Sequence, residues 1–120
     1  MQFINLHTHK FSNSAHLLEV VNQYPWEFNG SISQYSIGIH PWYIVEGSID
    51  ADLEIIESKL KDKKCLAIGE CGLDKRIEIP MALQLSVFEK QIALAEKHQK
   101  PLVLYNHYLG RLFHMLYMVA

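Results

Sequence analysis

Short apolar runs alternate along the chain with longer stretches whose apolar positions recur every three or four residues. Residues 3–8 open on Phe3 and Ile4 and read as a first strand. Residues 14–24 put Leu17, Leu18 and Val21 on one side, which predicts a short helix. Pro25, Asn29 and Gly30 mark a loop. Residues 35–39 read as a second strand, stopped by His40-Pro41. Leu53, Ile56 and Leu60 recur at spacings of three and four and predict a helix over 49–61. Residues 65–69 are a continuous apolar run of the kind buried on both faces of a parallel sheet. The strongest helix covers 80–99, with Leu85, Phe88, Ile92 and Ala95 as its apolar stripe and Pro80 in its first turn. Gln84 and Gln91 fall beside that stripe and read as helix-surface residues. Lys100-Pro101 ends the helix, 102–105 reads as a fourth strand, and the apolar tail after Asn106 suits a short helix. The order βαβαβαβ implies right-handed crossovers and a parallel sheet, so the expected class is α/β.

A chain of 120 residues suits one domain, and 49% apolar with 20% charged residues is ordinary for a globular one. The formal charge of −2, with no basic run, gives no electrostatic sign of non-specific nucleic-acid binding. A bound metal can still hold a phosphate locally, so a phosphoester substrate is not excluded. Cys65 and Cys71 flank Gly69-Glu70 at a spacing that fits neither a zinc knuckle nor a disulfide framework, and free buried thiols are expected. With no signal-peptide pattern and no apolar run of bilayer length, a cytoplasmic location is the expectation.

His7 and His9 give the first sign of chemistry. Positions i and i+2 of a strand face the same way, so two imidazoles there can share one metal ion. His40 follows the second strand, and Glu70 and Asp74 follow the third within Ile68-Gly69-Glu70-Cys71-Gly72-Leu73-Asp74. Parallel α/β folds build their sites at the carboxyl ends of strands, where these residues would converge. Two neutral imidazoles and a carboxylate suit zinc or another divalent metal. Each residue also has a plainer reading. Glu70 could cap a turn, His40 could be a satisfied loop histidine, and Asp74 could be an N-cap or loop acceptor. His16 and His98 lie on predicted helices and read as solvated. Trp26, Trp42 and Tyr43 could line a substrate groove, because aromatics stack on bases, or pack over the mouth of the site.

The segments Ile4-Asn5-Leu6-His7-Thr8-His9, Gly38-Ile39-His40-Pro41 and Ala67-Ile68-Gly69-Glu70-Cys71-Gly72-Leu73-Asp74 come in the order and spacing of TatD-like metal-dependent hydrolases, and the chain resembles that family over residues 1 to about 104. The resemblance implies a (β/α)8 TIM barrel of the amidohydrolase type. It implies hydrolysis of phosphoester bonds, typically as a deoxyribonuclease acting on DNA. It also implies divalent metal (Zn, Mn or Mg), two in the full-length family member, with His7 and His9 holding one and Glu70 bridging to the second and serving catalysis; His40 and Asp74 stand beside them as possible substrate-binding residues. The chain departs from the pattern in two places. Where the family carries a ligand histidine at the end of the fourth strand, this sequence has Tyr105; His107 stands two positions on, about 7 Å further along. A TIM barrel also takes roughly 200 residues or more. The expectation is therefore the first four βα units of the barrel over 1–105, with a divergent, frameshifted or truncated tail over 106–120. Two function classes follow: a TatD-type hydrolase impaired by its shortness, or a non-catalytic half-barrel or interaction module. An open half-barrel is also expected to self-associate.

Overall fold

The computed structural model describes the backbone of residues 3–8, 17–108 and 111–117, and the side chains of residues 20–105. Among these, six strands form one sheet in sequence order: Phe3–Thr8 (β1), Leu17–Gln23 (β2), Tyr35–Ile37 (β3), Cys65–Leu73 (β4), Leu102–Tyr108 (β5) and Arg111–Tyr117 (β6). Four parallel pairings join β1 through β5, and β6 runs antiparallel to β5. Two helices, Ile49–Lys59 (α1) and Met81–His98 (α2), carry the crossovers after β3 and β4. The core lies between sheet and helices, where Ile37, Ile56, Ile68, Val87 and Ala95 are almost fully buried.

The α/β class, both long helices and all four expected strands are present. The helix expected over 14–24 is not: residues 17–23 form β2, paired with β1 and β3, while 14–16 lie outside the described residues. Val20, Val21, Asn22 and Gln23 are all buried, as on a central strand covered on both faces. Over so short a run, periodicity cannot separate a buried strand from a helix, and the paired valines favour the strand. The sheet thus gains a fifth parallel strand. The tail is also a strand rather than a helix. Tyr108 faces Arg111 across a hairpin, and β6 supplies hydrogen-bonding partners along β5 that an edge strand would otherwise lack.

The apolar stripe of α2 needs correction as well. Leu85 is 40% exposed, and the face turned to the sheet is Gln84, Val87, Gln91 and Ala95. The helix ends at Gln99, which adopts a left-handed φ of 54°, before Lys100-Pro101.

His98 is not simply solvated. Its Nε2 lies 2.8 Å from Glu57 Oε2, and Lys97 Nζ lies 2.9 Å from the same oxygen, tying α2 to α1. These hydrogen bonds, that of His98 first, hold the Glu57 carboxyl down at about 2. A depressed folded-state value contributes stability that is present above the unfolded value of about 4.5 and is lost as pH falls through about 2. Acid unfolding of wild type and Glu57→Gln should therefore differ near pH 5 and converge toward pH 2. A constant gap over that range would mean the pair does not govern the titration.

No helix among the described residues is long and apolar enough to cross a membrane.

Candidate active site at the carboxyl ends of the strands

Glu70 lies within β4, and its side chain is nearly excluded from solvent. Burial pushes its carboxyl up to about 7. Its backbone N–H donates to Asn22 Oδ1 on β2 at 2.6 Å, and that oxygen also accepts from the Ser36 hydroxyl on β3 at 3.1 Å. Three adjacent strands thereby fix the position of the carboxylate. His40, just past β3, brings Nε2 to 3.4 Å from Glu70 Oε1. Its Nδ1 accepts from the Trp42 N–H at 3.1 Å. An acceptor at Nδ1 assigns the neutral ring its proton at Nε2, so His40 presents an N–H toward Glu70.

Asp74 is fully buried just beyond β4 and gathers the mouth of the site. Its Oδ2 accepts from Arg76 Nη2 at 2.8 Å, Trp42 Nε1 at 2.9 Å and Tyr105 Oη at 3.2 Å; its Oδ1 accepts from the Arg76 N–H and Nε, both at 3.0 Å. The Arg76 guanidinium, with the Trp42 donor, holds this carboxyl well below the usual carboxylate range. Asp74 thus stays charged and committed to protein donors, and its action on a ligand would pass through Trp42, Arg76 and Tyr105. The Tyr105 ring lies against His40, with centroids 4.3 Å apart.

Two buried glutamines of α2 hold the backbone beside these residues. Gln91 Oε1 accepts from the Ile39 N–H at 2.8 Å, and its Nε2 donates to the Ile39 carbonyl at 3.2 Å. Gln84 Oε1 accepts from the Asp74 N–H at 2.9 Å, and its Nε2 donates to the Asp74 carbonyl at 3.1 Å. Each side-chain amide clamps one residue of a non-helical segment as a neighbouring strand would. Ile39 precedes His40, so α2 sets the position of both His40 and Asp74.

Residues 1–108 match the TatD related DNase family. The chain belongs to that family. An uncharacterized metal-dependent hydrolase of Haemophilus influenzae is 34% identical over 79 residues, covering 60% of this chain and 30% of that protein. The uncharacterized metal-dependent hydrolase YabD of Bacillus subtilis is 36% identical over 72 residues, covering 59% and 28%. The crystal structure of the TatD homolog YJJV from Escherichia coli superposes with a TM-score of 0.70 at 23% identity, over 85% of this chain and 49% of that one, which establishes the shared fold. The matched stretch thus spans less than a third of the two hydrolases and about half of the solved homolog.

Within this TatD-family frame, the structure brings His40, Glu70, Asp74 and Tyr105 together. The backbone of His7 lies on β1, but its side chain, the whole of His9 and the His107 side chain fall outside the described residues. Among the described residues, no three His, Cys, Asp or Glu side chains cluster closely enough to hold a metal. Glu70 suits a metal by its chemistry, because a divalent cation would neutralise a carboxylate that burial otherwise disfavours as an anion. Cys65 and Cys71 are free and buried, and burial raises both thiols, which makes them poor nucleophiles. Sequence reasoning missed Asn22, Gln84, Gln91 and Arg76. The buried stripe position of the two glutamines was the signal that could have found the clamps.

Proposed function

We propose that this TatD-family chain is a divalent-metal-dependent phosphoester hydrolase whose substrate is DNA, with His7, His9 and Glu70 as the metal-holding residues. The observation that carries this reading is the buried Glu70 carboxylate, fixed within β4 through Asn22 and faced by the His40 Nε2–H. The metal, when bound, would supply an activated water and charge stabilisation at phosphorus. The remaining work belongs to the chain. Glu70 orients the site through its fixed backbone. His40 donates from Nε2 to Glu70 or to a phosphoryl oxygen. Asp74 holds Trp42, Arg76 and Tyr105 in place, and the half-exposed Arg76 guanidinium can meet a phosphate at the rim.

The test is a titration of Mn and Zn into wild type, Glu70→Gln and His7→Ala/His9→Ala, read by calorimetry and by hydrolysis of a phosphodiester and of a DNA oligonucleotide. Both variants are expected to bind metal at least about tenfold more weakly than wild type and to lose metal-dependent turnover. Equal metal binding by all three proteins would refute the ligand assignment.

A further inference from the structure

A pocket of about 430 Å³, walled by Trp26, Trp42, Tyr43 and Val45 with Asp52 of α1 in its lining, meets His40 through the rings of Trp42 and Tyr43. The three aromatic residues are unusually open for their size, at 45%, 46% and 47% exposed. They are nevertheless held in place. Trp26 stacks on Tyr24 with centroids 5.1 Å apart and planes within 8°, Tyr43 sets its edge against Trp26 at 6.2 Å, and Trp42 is tied to Asp74 through its indole N–H. Open, preset aromatic faces form a stacking surface with little ordering left to do on binding.

Asp52 stands in the first turn of α1, on the side that faces the pocket. It is only 8% exposed, and among the described residues its carboxylate makes no hydrogen bond and no ion pair with a protein group. Burial alone shifts its carboxyl upward. A first-turn acid favours the helix dipole, but the exposed Asp50 already does that from the solvent side. The carboxylate lies in the lining of the open pocket, where a ligand bearing N–H groups could take the place of water as its partner.

We propose that this pocket binds a guanine base, its ring against the indoles and its imide and amine N–H groups donating to Asp52. This rests on the phosphoesterase reading, because His40 and Trp42 are in ring contact, with centroids 5.0 Å apart, and a nucleotide whose phosphate sits at the His40–Glu70 pair would extend its base into the pocket. The carboxylate supplies the choice among bases. Guanine offers two adjacent donors on one edge, whereas uracil offers one and cytosine offers only its amine.

The chain contains two tryptophans, and both line the pocket, so intrinsic fluorescence reports occupancy directly. The full metal-free chain is titrated with guanosine, cytidine and uridine 5′-monophosphates and with choline. Guanosine monophosphate is expected to quench saturably and to bind about tenfold more tightly than the two pyrimidine nucleotides. Asp52→Asn should remove that preference while unfolding near the wild-type temperature, because among the described residues no protein group bonds to the carboxylate it replaces. Trp26→Ala should weaken all the nucleotides together. Equal affinity for the three nucleotides overturns the proposal, as does a response to choline alone, which would mark a cation cage, or no response at all. Binding is read without metal or turnover, so the two readings fail separately. Guanine binding by a chain that takes no metal would sink only the catalytic reading, and metal-dependent hydrolysis without base preference would sink only this one.

Discussion

Gly72→Ala is expected to destabilise the chain by more than about 4 kcal/mol, adding the cost of a left-handed non-glycine residue to that of an overpacked sheet interior. Gly72 sits on β4 with φ of +148°, and a Cβ built there would lie 2.0 Å from the Tyr105 carbonyl oxygen on β5. That oxygen belongs to backbone and cannot swing away as a side chain would. Gly72 pairs with Tyr105 just past a register shift between Gly69 and Cys71, so relief would require parting two central strands at the site itself. Domains of this kind hold only about 5–15 kcal/mol in total. The variant should therefore be largely unfolded, or should lose a large part of its urea midpoint. Gly47→Ala is the matched control. A Cβ there meets nothing within 4 Å, and its effect should stay within about 0.5 kcal/mol. Similar urea midpoints for the two variants would show that β4 and β5 can separate freely at Gly72.

The same approach of strands explains why part of the molecule was readable in advance and part was not. The apolar run at 65–69, set between a polar stretch and Gly69, reads as a buried strand; the strand in fact runs on to Leu73, so Glu70 lies within it and Asp74 just past its end. The helices at 49–61 and 80–99 were readable because their periodicity extends over many turns, although the face of the second was misplaced. Segment 17–23 offered seven residues whose apolar positions suit either period, and only neighbours on both sides make it a strand. Asn22, Gln84 and Gln91 defeat a binary reading for a different reason. A polar side chain at a buried position makes sense only with its partner, and these partners stand 48, 10 and 52 residues away. Tyr105 was legible as a departure from the family pattern, but its role against His40 and Asp74 depends on the neighbouring strand ends.

Gln91→Leu is expected to cost about 2–5 kcal/mol, more than the loss of one side chain's packing would suggest. The substitution nearly preserves volume, but it leaves the Ile39 N–H and C=O facing an apolar group, and each unpaired buried backbone group costs roughly 1–3 kcal/mol. Gln91→Glu separates the two halves of the clamp. A charged glutamate can accept from the Ile39 N–H but cannot donate to the carbonyl, and it buries a negative charge; a protonated one restores a donor. Burial raises the folded-state value of such a carboxyl above its unfolded value, so the folded protein binds the proton more tightly and stability falls as pH rises through that window. The urea midpoint of Gln91→Glu should therefore approach that of wild type at acid pH and drop away toward neutrality, while Gln91→Leu shows no such dependence relative to wild type. Ile39 is covalently joined to His40, so both variants should also lose the ordered Trp42 environment, seen as a shift in tryptophan emission before global unfolding. If Gln91→Leu matches wild type in midpoint and emission, then α2 does not position His40, and the loop after β3 holds its shape without the clamp.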